Sequence, residues 1–211
     1  MITKDRCYHN FDFEFRDAED GSLLVQGQPV VFNQETVIWE CEGIQYKEKI
    51  HPRAFEEAEM HDVVFNVDHE GKPAAKTKNG TLKLFVRSDG LYMEADLSRN
   101  KTGRELFEDI KNGFYDRMSF AFSVLEDTYD RETRTRTILR IKRLYDVSAV
   151  TFAAYEQTSI SARSWAEAQH EIEKKAAEAA RVAEATREAE ASKNAEALEL
   201  EKLRAKALSQ F

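Results

Sequence analysis

The stretch Gly113-Phe114-Tyr115-Asp116-Arg117-Met118-Ser119-Phe120-Ala121-Phe122-Ser123-Val124 alternates large and small side chains from Met118 onward. In an extended chain Met118, Phe120, Phe122 and Val124 share one face, and Ser119, Ala121 and Ser123 share the other. One face suits a core; the other, made of small residues, suits close packing or a groove. The same period of two recurs on both sides of this segment. Phe11, Phe13 and Phe15 oppose Asp12, Glu14 and Arg16, the pattern of a half-buried strand. Further strands are expected over Ser22–Phe32, Thr36–Trp39, Ile44–Ile50, Asp62–Val67, Thr81–Arg87, Leu91–Leu97, Thr133–Leu144 and Tyr145–Phe152, with Met118 continuing to Leu125. Ser88-Asp89-Gly90 supplies a hairpin turn. Two short helices interrupt the strands. His51-Pro52 leads into one through Ala58, and Thr102-Gly103-Arg104-Glu105 is a capping box for the other, which Gly113 stops.

Composition changes past the strands. All 8 glycines and 3 prolines lie at or before Gly113, whereas residues 161–211 hold 15 Ala, 10 acids and 9 bases. That is the make-up of a long solvated helix, up to roughly 70 Å if unbroken. Opposite charges recur three apart, as in Glu178 with Arg181 and Glu184 with Arg187. The expected fold is therefore mainly β with helices (α+β), a β-barrel or closed sandwich with helical decorations, residues 1–160 forming one domain and residues 161–211 an Ala/Glu-rich helical extension.

With 211 residues, 42% hydrophobic and 33% charged, the chain can bury a core, which excludes wholesale disorder. A net charge of -8 disfavours a generic nucleic-acid binder. Cys7 and Cys41 are too few for a disulfide framework and match no zinc knuckle, which fits a reducing compartment. No apolar run is long enough for a membrane helix, and the opening residues lack the order of a signal peptide.

Catalysis needs a nucleophile, a base and an orienter, so the five histidines come first. His170 sits in the charged helix, His9 near a terminus and His51 at a helix start. His51, His61 and His69 follow no common metal spacing. His69 stands where the apolar run Val63–Val67 opens into a loop, a place for either a base or a hydrogen-bonded structural histidine. Ser119, on its small-residue face, is either a nucleophile beside a peptide groove or filler in a packed seam. Asp146 shares a strand face with Ser148 and Val150, as an orienter of an imidazole or as an edge carboxylate. The basic run Arg131–Arg143 alternates with Thr133, Thr135 and Thr137, as expected for an exposed, solvated hairpin arm.

Taken in order, several segments resemble the prohead maturation serine proteases of tailed bacteriophages, a family distantly similar in fold to the herpesvirus capsid-maturation protease, assemblin. They are Gly27–Phe32, Glu48–Phe55, Asn66–Glu70, Asp89–Leu91 with Glu94–Leu97, Ile110–Phe122 and Asp146–Thr151. The resemblance implies a closed β-barrel of the herpesvirus-protease type, with short flanking helices and the long helical extension. It puts the nucleophile on Ser119, the base on His69 and the third member on Asp146, with oxyanion donors near Thr151–Ala154. It implies acyl-enzyme cleavage of the major capsid protein's scaffold segment, or of a separate scaffold protein, and of the protease itself, inside the procapsid in the host cytoplasm. The herpesvirus analogy adds a homodimer. No cofactor, metal, membrane or specific nucleic acid is called for. Two rivals stand beside it: a non-enzymatic assembly protein that binds scaffold through its helix, and a cysteine hydrolase using Cys41.

Overall fold

A computed structural model describes residues 5–10, 13–17, 21–151 and 160–208. The strands are β1 (Asp5–Asn10), β2 (Glu14–Asp17), β3 (Leu23–Val31), β4 (Thr36–Cys41), β5 (Ile44–Ile50), β6 (Val64–Val67), β7 (Glu70–Lys76), β8 (Leu82–Val86), β9 (Gly90–Asp96), β10 (Arg117–Asp130) and β11 (Thr135–Val150). The helices are α1 (Lys101–Lys111) and α2 (Ile160–Leu208). Among the described residues no helix is long and apolar enough to cross a membrane.

Two sheets share one core. The larger follows β1-β10-β11-β5-β4, with β6 also paired to β11 and β7 to β6; the smaller follows β2-β3-β9-β8. Phe120, Phe122, Phe65 and Val147 from the first meet Val25, Leu91 and Met93 from the second, and Leu106, Phe107 and Ile110 of α1 join the same core. The α+β character expected from the alternating segments is present. The expected closed barrel is not: the sheets share a core but remain separate ladders. The cause lies in β11, which spends its first half pairing in parallel with β5 (Thr135–Ile138) and its second half with β6 (Asp146–Ala149). Beyond β6 comes only β7, whose Pro73 cannot donate to a further ladder. Closure would require every edge to find a partner.

Local differences have local causes. The segment after His51 forms turns, not a helix, because Ala54 O accepts from Ile141 N at 2.9 Å while Ala58 N turns to Phe55 O at 3.2 Å. A helix would have needed that Ala54 carbonyl for Ala58. The α1 cap is Asn100, two residues before the expected Thr102; its side chain accepts from Gly103 N at 2.7 Å. Gly103 is required there, since a Cβ would lie 2.4 Å from Leu97 O. Of the expected Phe11–Phe15 strand, Phe11 and Asp12 fall outside the described residues.

The basic run is solvated only in part: Arg131, Arg140 and Lys142 are exposed. Thr135 and Arg136 are buried, and Arg136 donates to Asp127 Oδ2 at 2.5 Å and Glu48 Oε2 at 3.1 Å. Arg140 pairs with Glu57 and Glu126, and Arg143 with Glu59. The excess of acids found in the composition thus has internal uses. The Arg136 guanidinium also stacks 5.0 Å from the Trp165 ring centre. Trp165, with Ala162 and Ala166, packs against Ile38, Tyr46 and Tyr129 in a second small core.

By contacts the chain divides into Met1–Ala166 and Glu167–Phe211. In the second unit residues 174–196 are exposed, including Val182.

Gly90 opens β9 against β3, where an added Cβ would lie 2.0 Å from the Val30 carbonyl oxygen. Gly90→Ala is therefore expected to lower the unfolding free energy by about 1–3 kcal/mol. A urea titration against the parent protein measures it.

Candidate active site

Three neighbouring strands set the site. In the antiparallel β10–β11 ladder Ser119 lies opposite Ser148 and Ala121 opposite Asp146. In the parallel β11–β6 ladder Asp146 is paired with Val64 and Ser148 with Asn66. Cross-strand partners project to the same face, so Ser119, Asp146, Ser148 and Asn66 share one face, while Phe120, Val147 and Phe65 fill the core on the other.

The histidine arrives by a different device. Val67 pairs with Glu70, leaving Asp68 and His69 as a two-residue hairpin turn between β6 and β7. Both have left-handed backbones, φ 46° and 63°. Positive φ at both central positions is the signature of a type I′ hairpin, for which Asn-Gly or Asp-Gly is the usual choice. A histidine in the second position is a costly conformation that the surrounding structure must hold. Asp68 anchors the turn: its N–H donates to Ala149 O at 3.0 Å, and its carboxylate faces Thr151 N at 3.4 Å.

From that turn the imidazole reaches back over the sheet. His69 Nδ1 lies 2.5 Å from Asp146 Oδ1, and Nε2 lies 2.7 Å from Ser119 Oγ. The tautomer with its hydrogen on Nδ1 would donate to the carboxylate, which accepts, and present the Nε2 lone pair to the serine hydroxyl. Ser119 is 0% exposed and Asp146 6%. A carboxylate, an imidazole and a hydroxyl so linked can take the serine's proton as its oxygen attacks a carbonyl carbon.

The three residues singled out in the sequence, 50 and 77 positions apart, are thus brought together. His51 is engaged elsewhere: its Nδ1 accepts from Arg53 N at 3.1 Å, in the turns after β5. Among the described residues no three His, Cys, Asp or Glu side chains gather as a metal cluster. Cys41 is a free thiol at the end of β4, a strand that among the described residues pairs with β5 alone. Of the oxyanion segment expected near Thr151–Ala154, Thr151 has its N–H turned toward Asp68, and residues 152–154 lie outside the described residues. A cavity of about 370 Å³ walled by Gln26, Gln28, Arg87, Tyr92 and Glu94 contains none of the three residues.

Two further polar residues on the site face carry no role in the sequence reading. Ser148 donates to Asp146 Oδ1 at 2.9 Å. Asn66 is buried, with an Oδ1 that has no hydrogen-bond partner. The available signal was Ser148's place two residues after Asp146 on the same strand face, and a polar Asn inside the apolar run of β6. Tyr115, just before β10, has its phenol pushed up from the ordinary value by burial, then by the Asp68 and Asp109 carboxylates, so it is neutral near pH 7.

Asp68→Val puts a β-branched side chain into a left-handed backbone and is expected to cost about 1–2 kcal/mol of stability. Asp68→Asn, which tolerates that conformation, should stay within a few tenths of a kcal/mol of the parent. Denaturant midpoints of the two variants check the difference.

The sequence pattern of the caudovirus prohead serine proteases matches residues 10–172. No curated protein matches the chain in sequence. Among solved structures, the bacteriophage T4 capsid assembly protease, gp21, superposes with a TM-score of 0.50 at 14% identity, covering 70% of this chain and 96% of that one.

Proposed function

Because the chain belongs to the caudovirus prohead serine protease family, we propose that it is an endopeptidase with Ser119 as nucleophile, His69 as general base and Asp146 as the group that orients and charge-stabilises the imidazole. The linked geometry of these three side chains carries the proposal. In acylation the Ser119 hydroxyl proton passes to His69 Nε2 while Oγ bonds to the scissile carbonyl carbon. The imidazolium, held by Asp146, then protonates the departing amine. A water molecule, deprotonated by the same Nε2, attacks the ester carbonyl; as the ester C–O bond breaks, Nε2 returns that proton to Ser119 Oγ and the carboxylic acid product leaves. All of this runs on side chains of the chain itself.

The substrates follow from the family: the scaffold segment of the capsid protein or a separate scaffold protein, and the protease itself, cut within the procapsid. Residues 161–211 serve as a docking helix for incorporation. The exposed, charge-alternating surface of residues 174–196 supports this role, and unchanged packaging after deletion of residues 167–211 would exclude it.

The decisive experiment combines the full chain, alone and coexpressed with its procapsid proteins, with a small fluorophosphonate. Peptide mass mapping should find the label on Ser119, and Cys41→Ala should process scaffold normally. Label on another residue, or scaffold processing lost in Cys41→Ala with its fold intact, would overturn the assignment. Procapsids that form without any cleavage or labelling would make the protein a non-enzymatic assembly factor.

A further inference from the structure

We infer that Ser148 is a positioning residue of this site, a fourth member that fixes the Asp146–His69 pair; the inference rests on the serine-protease assignment above. Ser148 is 0% exposed. Its hydroxyl donates to Asp146 Oδ1 at 2.9 Å, and its oxygen lies 3.3 Å from His69 Nδ1. With the 2.5 Å contact between His69 and Asp146, the three heavy atoms form a closed triangle.

A buried serine in a strand has simpler ways to satisfy one proton, such as a nearby backbone carbonyl. Here the proton goes to the same carboxylate oxygen that accepts from the imidazole. Two donors on Oδ1 hold the carboxylate against rotation about its Cβ–Cγ bond. Rotation would exchange Oδ1 for Oδ2 and swing the imidazole with it. The hydroxyl lone pairs at the same time face the Nδ1–H, so positive charge arriving on the ring meets a second oxygen. The ladder fixes the remaining distance. Ser148 sits directly opposite Ser119, so the residue that steadies the base is in register with the nucleophile.

Removal of a hydrogen bond to a charged group predicts that Ser148→Ala slows fluorophosphonate labelling of Ser119 about ten- to a hundredfold, with parent-like circular dichroism and a lowered urea midpoint. Because Ser148 acts through Asp146, the same substitution should slow labelling less than about threefold when Asp146 is already Asn. Proton NMR of the full chain adds a readout that a purely structural serine would not move. The low-field imidazole N–H resonance of His69, identified by its loss in His69→Gln, should shift in Ser148→Ala. Labelling by Ser148→Ala at the parent rate, an equal slowing in the Asp146→Asn background, or an unmoved resonance would overturn the inference. Failure of the parent chain to label at Ser119 would instead fell the protease assignment, and the NMR comparison would still decide whether Ser148 holds the pair.

Discussion

Ser119→Ala is expected to leave a folded chain whose peptide-bond cleavage is reduced about 10⁶-fold. The substitution removes one oxygen from a fully buried site and one hydrogen bond to His69, a loss of about 1 kcal/mol. The fold therefore survives, as parent-like circular dichroism and urea midpoint should show. Chemistry does not survive, because His69 and Asp146 then have no hydroxyl to activate. What remains is background hydrolysis by any water the site admits. Quantifying capsid-protein processing in coexpression, against the parent and Cys41→Ala, makes the measurement. Processing in Ser119→Ala at more than about one hundredth of the parent rate would place the nucleophile elsewhere.

Arg136→Ala is expected to have the largest effect on stability, about 3–5 kcal/mol. Glu48 is 0% exposed and Arg136 7%, so the Glu48 carboxylate would keep its burial and lose the guanidinium that donates to it. Asp127 and the Trp165 ring lose the same partner. The control is the double variant Arg136→Met with Glu48→Leu, which leaves no fully buried charge stranded, only the one-third-exposed Asp127; it should recover most of the loss. Denaturant titration of the three proteins decides. If Arg136→Ala cost under 1 kcal/mol, the triad would be no more than a surface-like pair.

The strands that carry the site were legible because alternation is a direct imprint of the pleat. The faces of β10 and β11 follow from residue type alone, and so does the hairpin turn ending at Gly90. The meeting of Ser119, His69 and Asp146 was not legible from periodicity. It depends on β11 lying between β10 and β6, a long-range pairing that no local pattern encodes, and it entered only through resemblance to a family. β7 was missed because Gly71 and Pro73 read as loop, yet both are tolerated on an edge strand with one neighbour. The segment after Pro52 was read as a helix because its composition fits one; β11 claims the carbonyl that the helix would have needed. Arg136 was misplaced for a related reason. A charged residue in an alternating strand reads as solvent-facing unless its buried counter-ions, Glu48 and Asp127, are known to lie beside it.

Ser119 has no surface exposed to water, and the side chain of His69 only 2%. On the assignment proposed above, a polypeptide can reach that hydroxyl only in arrangements that expose it, so turnover would be metered by how often those arrangements occur. If one molecule in about a hundred is open at any instant, apparent efficiency falls by about the same hundredfold relative to a permanently open enzyme. Steady-state rates measured on the isolated chain would then report this duty cycle multiplied by chemistry, and conditions that raise the exposed fraction would accelerate hydrolysis without altering a single reacting atom.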